Sequence, residues 1–472
     1  MPKSKKRDLV VIGGGAGGLV VASVAAQLGL DVVLINKQEA MGGDCLHFGC
    51  VPSKALLKSA SVAHAMANAS RWGLTSVSTA VDMQAVNLTI KNAIDTIQVH
   101  DSRERFEQLG CEVITGQAYF TSPTQVMVAD RTIEAKQFVI ATGSSTFIPP
   151  IKGLDQVGFM TNEDMYSLPS LPVSMIILGG GPIGVEMAQA YSRLGTKVTV
   201  VELANRLLPR MDEDSSALLT DVLIDEGVVV YLSREVVEVS ASSVAKQIRL
   251  KDGTILQADV LLVAIGRRPL VDSLALEKAG VTFDAAGIKV NRKMQSSNRK
   301  IYACGDVTGE MPLTHVAELQ AGVIIANMLF KMPKKINYDV IPAVVYTDPE
   351  VAQVGLSIEQ CEKLTKAEVH QFDVSQLDRA VTDNNRKGVA KILTHKGRIV
   401  GAHITSPHAG ELIHELALAI QEKMQVSKIT ALVHAYPSYS QLNKRLAGQY
   451  YKARLFNPWT KKIVAFLNRF FT

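Results

Sequence analysis

Met41 to Leu57 reads MGGDCLHFGCVPSKALL. Cys45 and Cys50 stand five positions apart in it, ahead of a segment of helical character. On one regular helix that spacing would separate them by about 7.5 Å along the axis, at a rise of ~1.5 Å per residue. A disulfide needs Cα atoms closer than about 7 Å. The chain must therefore turn between them, and Gly49 is expected to supply the backbone freedom. Pro52 suits a first helical turn, where no N–H is required. Cys50 is thereby expected at a helix N-terminus, whose dipole favours thiolate over thiol. Two unrelated buried cysteines would not need the flanking glycines, the proline or Lys54, so the pair is read as a redox disulfide.

Upstream, Asp8 to Ile12 is a short apolar strand that runs directly into GGGAGG. A small-residue helix over Leu19–Leu28 and a strand over Val32–Ile35 follow. Gly13, Gly15 and Gly18 have the G-x-G-x-x-G spacing of a βαβ dinucleotide site, in which helix N-terminal amides hold a pyrophosphate. An acid usually ends the second strand and binds the adenosine ribose; Asn36 stands there, and an amide can still hydrogen-bond a hydroxyl. The unit recurs. Met175–Leu178 leads into GGGPIG with Gly179, Gly181 and Gly184, a helix over Val185–Leu194, and a strand over Lys197–Val201 that closes at Glu202. A carboxylate at that place accepts both ribose hydroxyls of NAD and repels a 2′-phosphate, so NADH is expected. NADPH is the less favoured cofactor, kept open by Arg206. Two nucleotides around one redox pair imply an electron relay.

The 472 residues suffice for about three domains, and 47% apolar with 20% charged residues is a soluble globular composition. A net charge of +5 gives no case for nucleic acid. Cys45, Cys50, Cys111, Cys304 and Cys361 are too few and scattered for a secreted disulfide framework. A reducing, cytoplasmic setting with one cycling pair is expected, and no metal-ligand set. MPKSKKR before an apolar run could pass for a signal peptide, but Gly13–Gly15, Gly17, Gly18 and Asp31 interrupt it. No other stretch is long and apolar enough to span a bilayer.

GGDCLHFGCVPSK resembles the active-site segment of the class I pyridine nucleotide-disulfide oxidoreductases, flavoproteins that include dihydrolipoamide dehydrogenase, glutathione reductase and mercuric reductase. The other motifs follow in that family's order from Asp8 to Lys452. The resemblance implies an α/β fold of two Rossmann-like dinucleotide-binding domains and a C-terminal α+β dimerisation domain. In residues, this means FAD-binding parts over 1–151 and 269–339, an NAD-binding domain over 152–268, an interface domain over 340–452 and an amphipathic tail over 453–472. FAD and NADH are the implied cofactors. The implied assembly is a homodimer with a shared active site, passing electrons to a small-molecule or protein acceptor. Around FAD the resemblance sets Gly13, Gly15, Gly18, Asn36, Gly43, Lys54, Thr142, Gly143, Gly305 and Asp306, the last on the ribityl chain. Leu313, Thr314 and His315 would open a helix toward the flavin pyrimidine, whose anionic reduced form a helix dipole stabilises. Around NADH stand Gly179, Gly181, Gly184 and Glu202, with Gly266 and Arg267 at the return from that domain; Arg267 equally reads as a solvated surface charge. The resemblance places Cys50 against the flavin, makes Cys45 the interchange thiol and pairs Lys54 with Glu186 near flavin N5.

The acid–base machinery departs from the family. Thiol-disulfide members carry H-P-x-x-x-E near the C-terminus, whereas HAYPSYSQLNKR puts Tyr436 and Gln441 in those two places and His434 two residues early. A tyrosine, with a pKa near ~10, is a poor base at neutral pH. Glutathione reductase and dihydrolipoamide dehydrogenase are therefore disfavoured, and the match leans to the mercuric-reductase-like branch, although no cysteine follows Cys361 to pass Hg(II) inward. The expected activity is an FAD-dependent relay from NAD(P)H through Cys45–Cys50 to an undetermined acceptor. Alternatives are a metal-ion reductase, a dihydrolipoamide dehydrogenase and a redox-gated nucleotide-binding scaffold. Beyond Tyr451 the chain runs KARLFNPWTKKIVAFLNRFFT. On a helix from Trp459, the residues Trp459, Ile463, Val464, Phe466, Leu467, Phe470 and Phe471 share a broad face, with Lys461, Lys462, Asn468 and Arg469 opposite or flanking. Peripheral membrane contact through 456–472 and docking on the protein's own dimer are both compatible with that pattern.

Overall fold

The computed structural model describes residues 6–78, 80–242 and 245–470. The chain forms two compact units, one of Met1–Val62, Ala80–Val201 and Glu235–Asn337, the other of Ala63–Thr79, Glu202–Arg234 and Tyr338–Thr472.

The first unit is built on apolar strands: β1 (Arg7–Ile12), β2 (Val32–Asn36) and β3 (Cys111–Thr115) run parallel in the order β3-β2-β1. Arg131–Ile140 pairs parallel on the free side of β1, and Ile301–Ala303 pairs parallel with it in turn. Val10 stands level with Val33 and Phe138, and Ile12 with Ile35 and Ile140, all buried. Strands covered on both faces need continuous apolar runs rather than alternation, as LVVI and VVLI supply. The hairpin Tyr119–Ser122/Gln125–Val128 lies antiparallel on Arg131–Ile140, and Phe120 meets Phe138 edge-on at 5.3 Å. A second parallel set in this unit places Ser174–Leu178 between Lys197–Val201 and Val260–Val263.

Helix α1 spans Ala16–Gln27, starting three residues before the Leu19 start expected from sequence. The glycines of the turn are wound into the helix because its first turn lies too close to its neighbours for side chains. A Cβ at Gly17 would stand 2.8 Å from Cys304 Sγ. The strand Ile301–Ala303 ends ahead of Gly305, which takes a left-handed φ of 78°.

The second unit holds an antiparallel five-stranded sheet in the order Ala343–Val345, Glu350–Gly355, Arg398–Ser406, Val389–His395, Ala367–Asp373. Helix Ala409–Gln421 covers its middle, and helix Gln441–Leu455 lies on Ala367–Asp373. Lys391, nearly buried, is neutralised by Asp212 at 2.9 Å and Asp214 at 2.7 Å, as a buried cation requires. Helix Gln441–Leu455 runs through the 452/453 border set from sequence, and a separate helix, Pro458–Phe470, follows. Phe471 of the expected apolar face lies outside the described residues. Among the described residues no helix is long and apolar enough to cross a membrane.

Candidate active site

Two glycine turns in the first unit are geometric copies. Gly13 and Gly179 adopt φ of 111° and 107°, open only to glycine without strain. A Cβ at Gly18 would sit 2.0 Å from Gly13 O, and one at Gly184 would sit 1.9 Å from Gly179 O. Gly15 and Gly181 are the N-caps of α1 and of Pro182–Leu194, and neither helix has a side-chain cap. Helix starts of this kind offer backbone N–H groups to an anion. Asn36 is committed to the first turn: its amide donates to Gln38 O and Ala40 O and accepts from Gly14 N. Both amide hydrogens are thus used within the chain, and the amide oxygen alone is left for a ribose.

The redox segment begins against that turn. Gly42 N donates to Gly14 O at 2.7 Å, and Gly43 lies so close to Gly15 that a Cβ would be 2.9 Å from its Cα. Cys45 occupies a short helix of its own, α2 (Gly43–His47), and Cys50 is the first residue of α3 (Cys50–Ala67). The sequence showed the second helix and not the first. Gly49 between them does not use the backbone freedom expected of it. Its φ is not left-handed, and a side chain there would instead be crowded, with a Cβ 3.0 Å from Asp44 O and 3.1 Å from Cys45 Cα.

Both cysteines are thiols in this structure. The Cys45 thiol donates to Cys50, which, with help from Thr314 and the Lys54 charge, lowers the Cys50 pKa from its ordinary 9.0 to about 6. That donation, together with burial, pushes Cys45 well above the ordinary thiol range. In the dithiol the proton therefore resides on Cys45 and the charge on Cys50. Thr314, the first residue of helix Thr314–Met328, brings its hydroxyl to 3.4 Å from Cys50 Sγ, and Leu313 is the N-cap of that helix. His315 is exposed on the same first turn. Lys54, one turn after Cys50, reaches Glu186 Oε2 at 2.9 Å, so the pair expected from sequence is an ion pair whose carboxylate is only 7% exposed.

Arg267 is no surface charge. At 16% side-chain exposure, it donates to Ser144 Oγ and Ser144 O and stands 3.2 Å from Asp44, the residue before Cys45. Asn162 donates to Asp44 Oδ1 and Phe48 O, bracing the same turn. Asp306 accepts from Ser144 at 2.6 Å through Oδ2, and its Oδ1 has no partner among the described residues. Gly305 N donates to Gln320, Thr142 donates to Leu270 O, Gly143 O accepts from Leu270 N, and Gly266 O accepts from Phe147 N. Sequence reasoning missed Asp44, Ser144 and Asn162, and also Tyr166, a phenol hydrogen-bonded to Ser53 whose pKa burial and the nearby Glu186 carboxylate raise far above 10. Asp44 lies inside GGDCLHFGCVPSK but has no role there until Arg267 and Asn162 meet it, and Ser144, Asn162 and Tyr166 lie in no motif with a recognisable spacing.

The remaining expected residues belong to the second unit. Glu202 accepts from Ala204 N, and Arg206 donates to Pro209 O beside Glu213. Tyr436 is 69% exposed, and no hydrogen bond joins it to Gln441, the first residue of its helix. His434 stands two residues upstream with its side chain only 5% exposed and Nε2 3.3 Å from Glu415, which also accepts from Asn443.

A family profile described as pyridine nucleotide-disulphide oxidoreductase matches residues 7–321, and the dimerisation domain of that family matches 341–446. The chain belongs to the pyridine nucleotide-disulphide oxidoreductases. As a member it is an FAD-dependent enzyme that takes electrons from NAD(P)H, and its dimerisation domain marks it as a homodimer. This oxidoreductase is 36% identical to dihydrolipoyl dehydrogenase 1 of Arabidopsis thaliana mitochondria, over 94% of this chain and 90% of the relative. It is 35% identical to leghemoglobin reductase of Vigna unguiculata, over 94% and 87%. Among solved structures it resembles the HOCl-induced flavoprotein disulfide reductase RclA of Escherichia coli, with a TM-score of 0.85 at 27% identity, covering 93% of this chain and 99% of that one. FAD fits the residues present. The uncapped start of α1 could take its pyrophosphate, and the open oxygen of Asp306 could accept from a hydroxyl. Bound FAD would supply two-electron exchange between NAD(P)H and the cysteine pair.

Proposed function

We propose that this oxidoreductase works as an NADH-driven reductase whose acceptor is a small oxidised molecule other than lipoamide or glutathione disulfide. The observation that carries this is the pair of residues at 436 and 441. An exposed tyrosine with no hydrogen bond to its glutamine cannot hold a neutral imidazole-like base ready for a dithiol. The neighbouring His434 is itself enclosed with Glu415 and Asn443. Within this reading, Gly13, Gly15, Gly18, Asn36, Gly43, Thr142, Gly143, Gly305, Asp306 and the Leu313–His315 helix start serve FAD. Gly179, Gly181, Gly184 and Glu202 serve NADH, with Gly266 and Arg267 framing the return. Cys50 carries the thiolate that meets the flavin, Cys45 exchanges with the acceptor, and the Lys54–Glu186 pair holds positive charge where reduced flavin is anionic. Tyr436 and Gln441 contribute from the partner subunit to a shared site. Arg206, already turned to Pro209 and Glu213, supports NADH over NADPH.

Anaerobic titration with NADH and NADPH, followed by a screen of oxidants, tests the proposal. Rapid flavin reduction by NADH and turnover with a non-thiol oxidant are expected. Brisk oxidation of dihydrolipoamide would refute it. A second reading, reduction of a soft metal ion held by the two thiols, draws on the solved Cu(II) complex of the RclA relative. In this reading the ion is the substrate of the two thiols. Cu(II)- or Hg(II)-dependent NADH oxidation that needs Cys45 would favour this second reading.

A further inference from the structure

We propose that helix Pro458–Phe470 docks this enzyme on the surface of an anionic lipid bilayer. The helix is a formed element and not a frayed end. Asn457 Oδ1 caps it by accepting from Thr460 N at 2.9 Å, and Pro458 occupies its first position. Its mount is tied to the fold: Arg454 bonds Glu368 at 2.5 Å and lies 3.7 Å over the Tyr450 ring, and Asn457 and Thr460 both donate to Arg454 O.

On that mount the apolar face is open to solvent. Trp459 is 77% exposed, Ile463 52%, Val464 49%, Phe466 59% and Leu467 44%. At ~100° per residue these side chains fill an arc of roughly 160°. Lys461 falls at one border of the arc, and Lys462 and Arg469 at the other. A helix of 13 residues is marginal in water on its own, so its apolar face calls for a cover.

The charge says which cover. Glu422 is the last acidic residue of the chain, and nine lysines and arginines follow it. Two copies of the helix paired about a two-fold axis would set cations against cations with no acid between them, which disfavours a second copy. An anionic bilayer satisfies both halves of the helix. Trp459 and the aliphatic side chains enter the headgroup–acyl boundary, while the lysines and the arginine meet phosphates at its edge.

The test is co-sedimentation of the FAD-loaded protein with phosphatidylcholine vesicles with and without phosphatidylglycerol. The expected result is binding to the anionic vesicles that weakens as salt rises. Lys461→Gln with Lys462→Gln should reduce affinity about 30-fold, at ~1 kcal/mol per surface cation. Ile463→Glu with Leu467→Glu should abolish binding, and both doubles should keep FAD, the dimer and NADH-dependent flavin reduction. Absence of binding, or equal and salt-insensitive binding to pure phosphatidylcholine, overturns the proposal. So does a glutamate double that turns monomeric or loses FAD, which would make the helix part of the fold. Tryptophan emission of the unmutated protein is a second readout. Anionic vesicles should shift it to shorter wavelength as Trp459 leaves water, and an unchanged spectrum overturns the proposal as well.

Discussion

Replacing Cys45 with Ala removes the donor that contributes most to the low pKa of Cys50. The full displacement from 9.0 to about 6 corresponds to about 4 kcal/mol between thiol and thiolate, at ~1.36 kcal/mol per unit. At pH 7 a thiol of pKa about 6 is roughly nine-tenths ionised, and one of pKa about 9 is ionised to about one part in a hundred. The alkylation rate is nevertheless a poor readout. Intrinsic nucleophilicity falls with pKa at a slope of ~0.4–0.5, which cancels most of the gain in thiolate. The midpoint of the pH–rate profile is unaffected by that cancellation. In the reduced protein, with iodoacetamide incorporation read at Cys50 alone by peptide mass, the midpoint should move upward from about 6 in Cys45→Ala and less far in Cys45→Ser, whose hydroxyl still donates. A Cys45→Ala midpoint that stays near 6 would refute the assignment of the proton to Cys45. An upward move of the same size in Lys54→Met would shift the main role to the lysine.

Lys54→Met leaves the Glu186 carboxylate enclosed without its cation and should destabilise the protein by about 2 kcal/mol, discounted for the partly exposed lysine. Adding Glu186→Gln should restore part of the loss in thermal melts. Glu202→Ala should narrow the preference for NADH over NADPH in anaerobic flavin reduction, and equal rates before mutation would shift weight to Arg206. Tyr436→His with Gln441→Glu should raise dihydrolipoamide oxidation, measured as NAD reduction. No gain would show that more than the base is missing.

The glycine turns were legible because local rules demand them: Gly13 takes a φ open only to glycine, and a Cβ at Gly18 would strike Gly13 O. The Lys54–Glu186 pair joins residues 132 positions apart and was legible only through the family resemblance. The bracing of the redox turn was not legible. Asn162 and Asp44 are 118 positions apart, and Thr314 meets Cys50 across 264, so neither leaves a periodic trace. Arg267 showed its type but not its burial, which depends on Ser144, Asp44 and Asn162 converging on it. Gly49 was singled out for a cause the structure does not bear out. Sequence suggests freedom of φ at a glycine, whereas crowding by the Cys45 backbone becomes visible only once α2 is known to fold there.

The commitment of Asn36 has a further consequence. Three hydrogen bonds from one amide already fasten Gly14, Gln38 and Ala40 together, so the mouth that receives a nucleotide is shaped in advance. Fixing a residue's backbone costs ~1–2 kcal/mol, and here that cost is met during folding and not at the moment of association. A ligand landing on the turn forfeits little chain entropy. It must instead supply the hydrogen that a ribose hydroxyl gives to an amide oxygen.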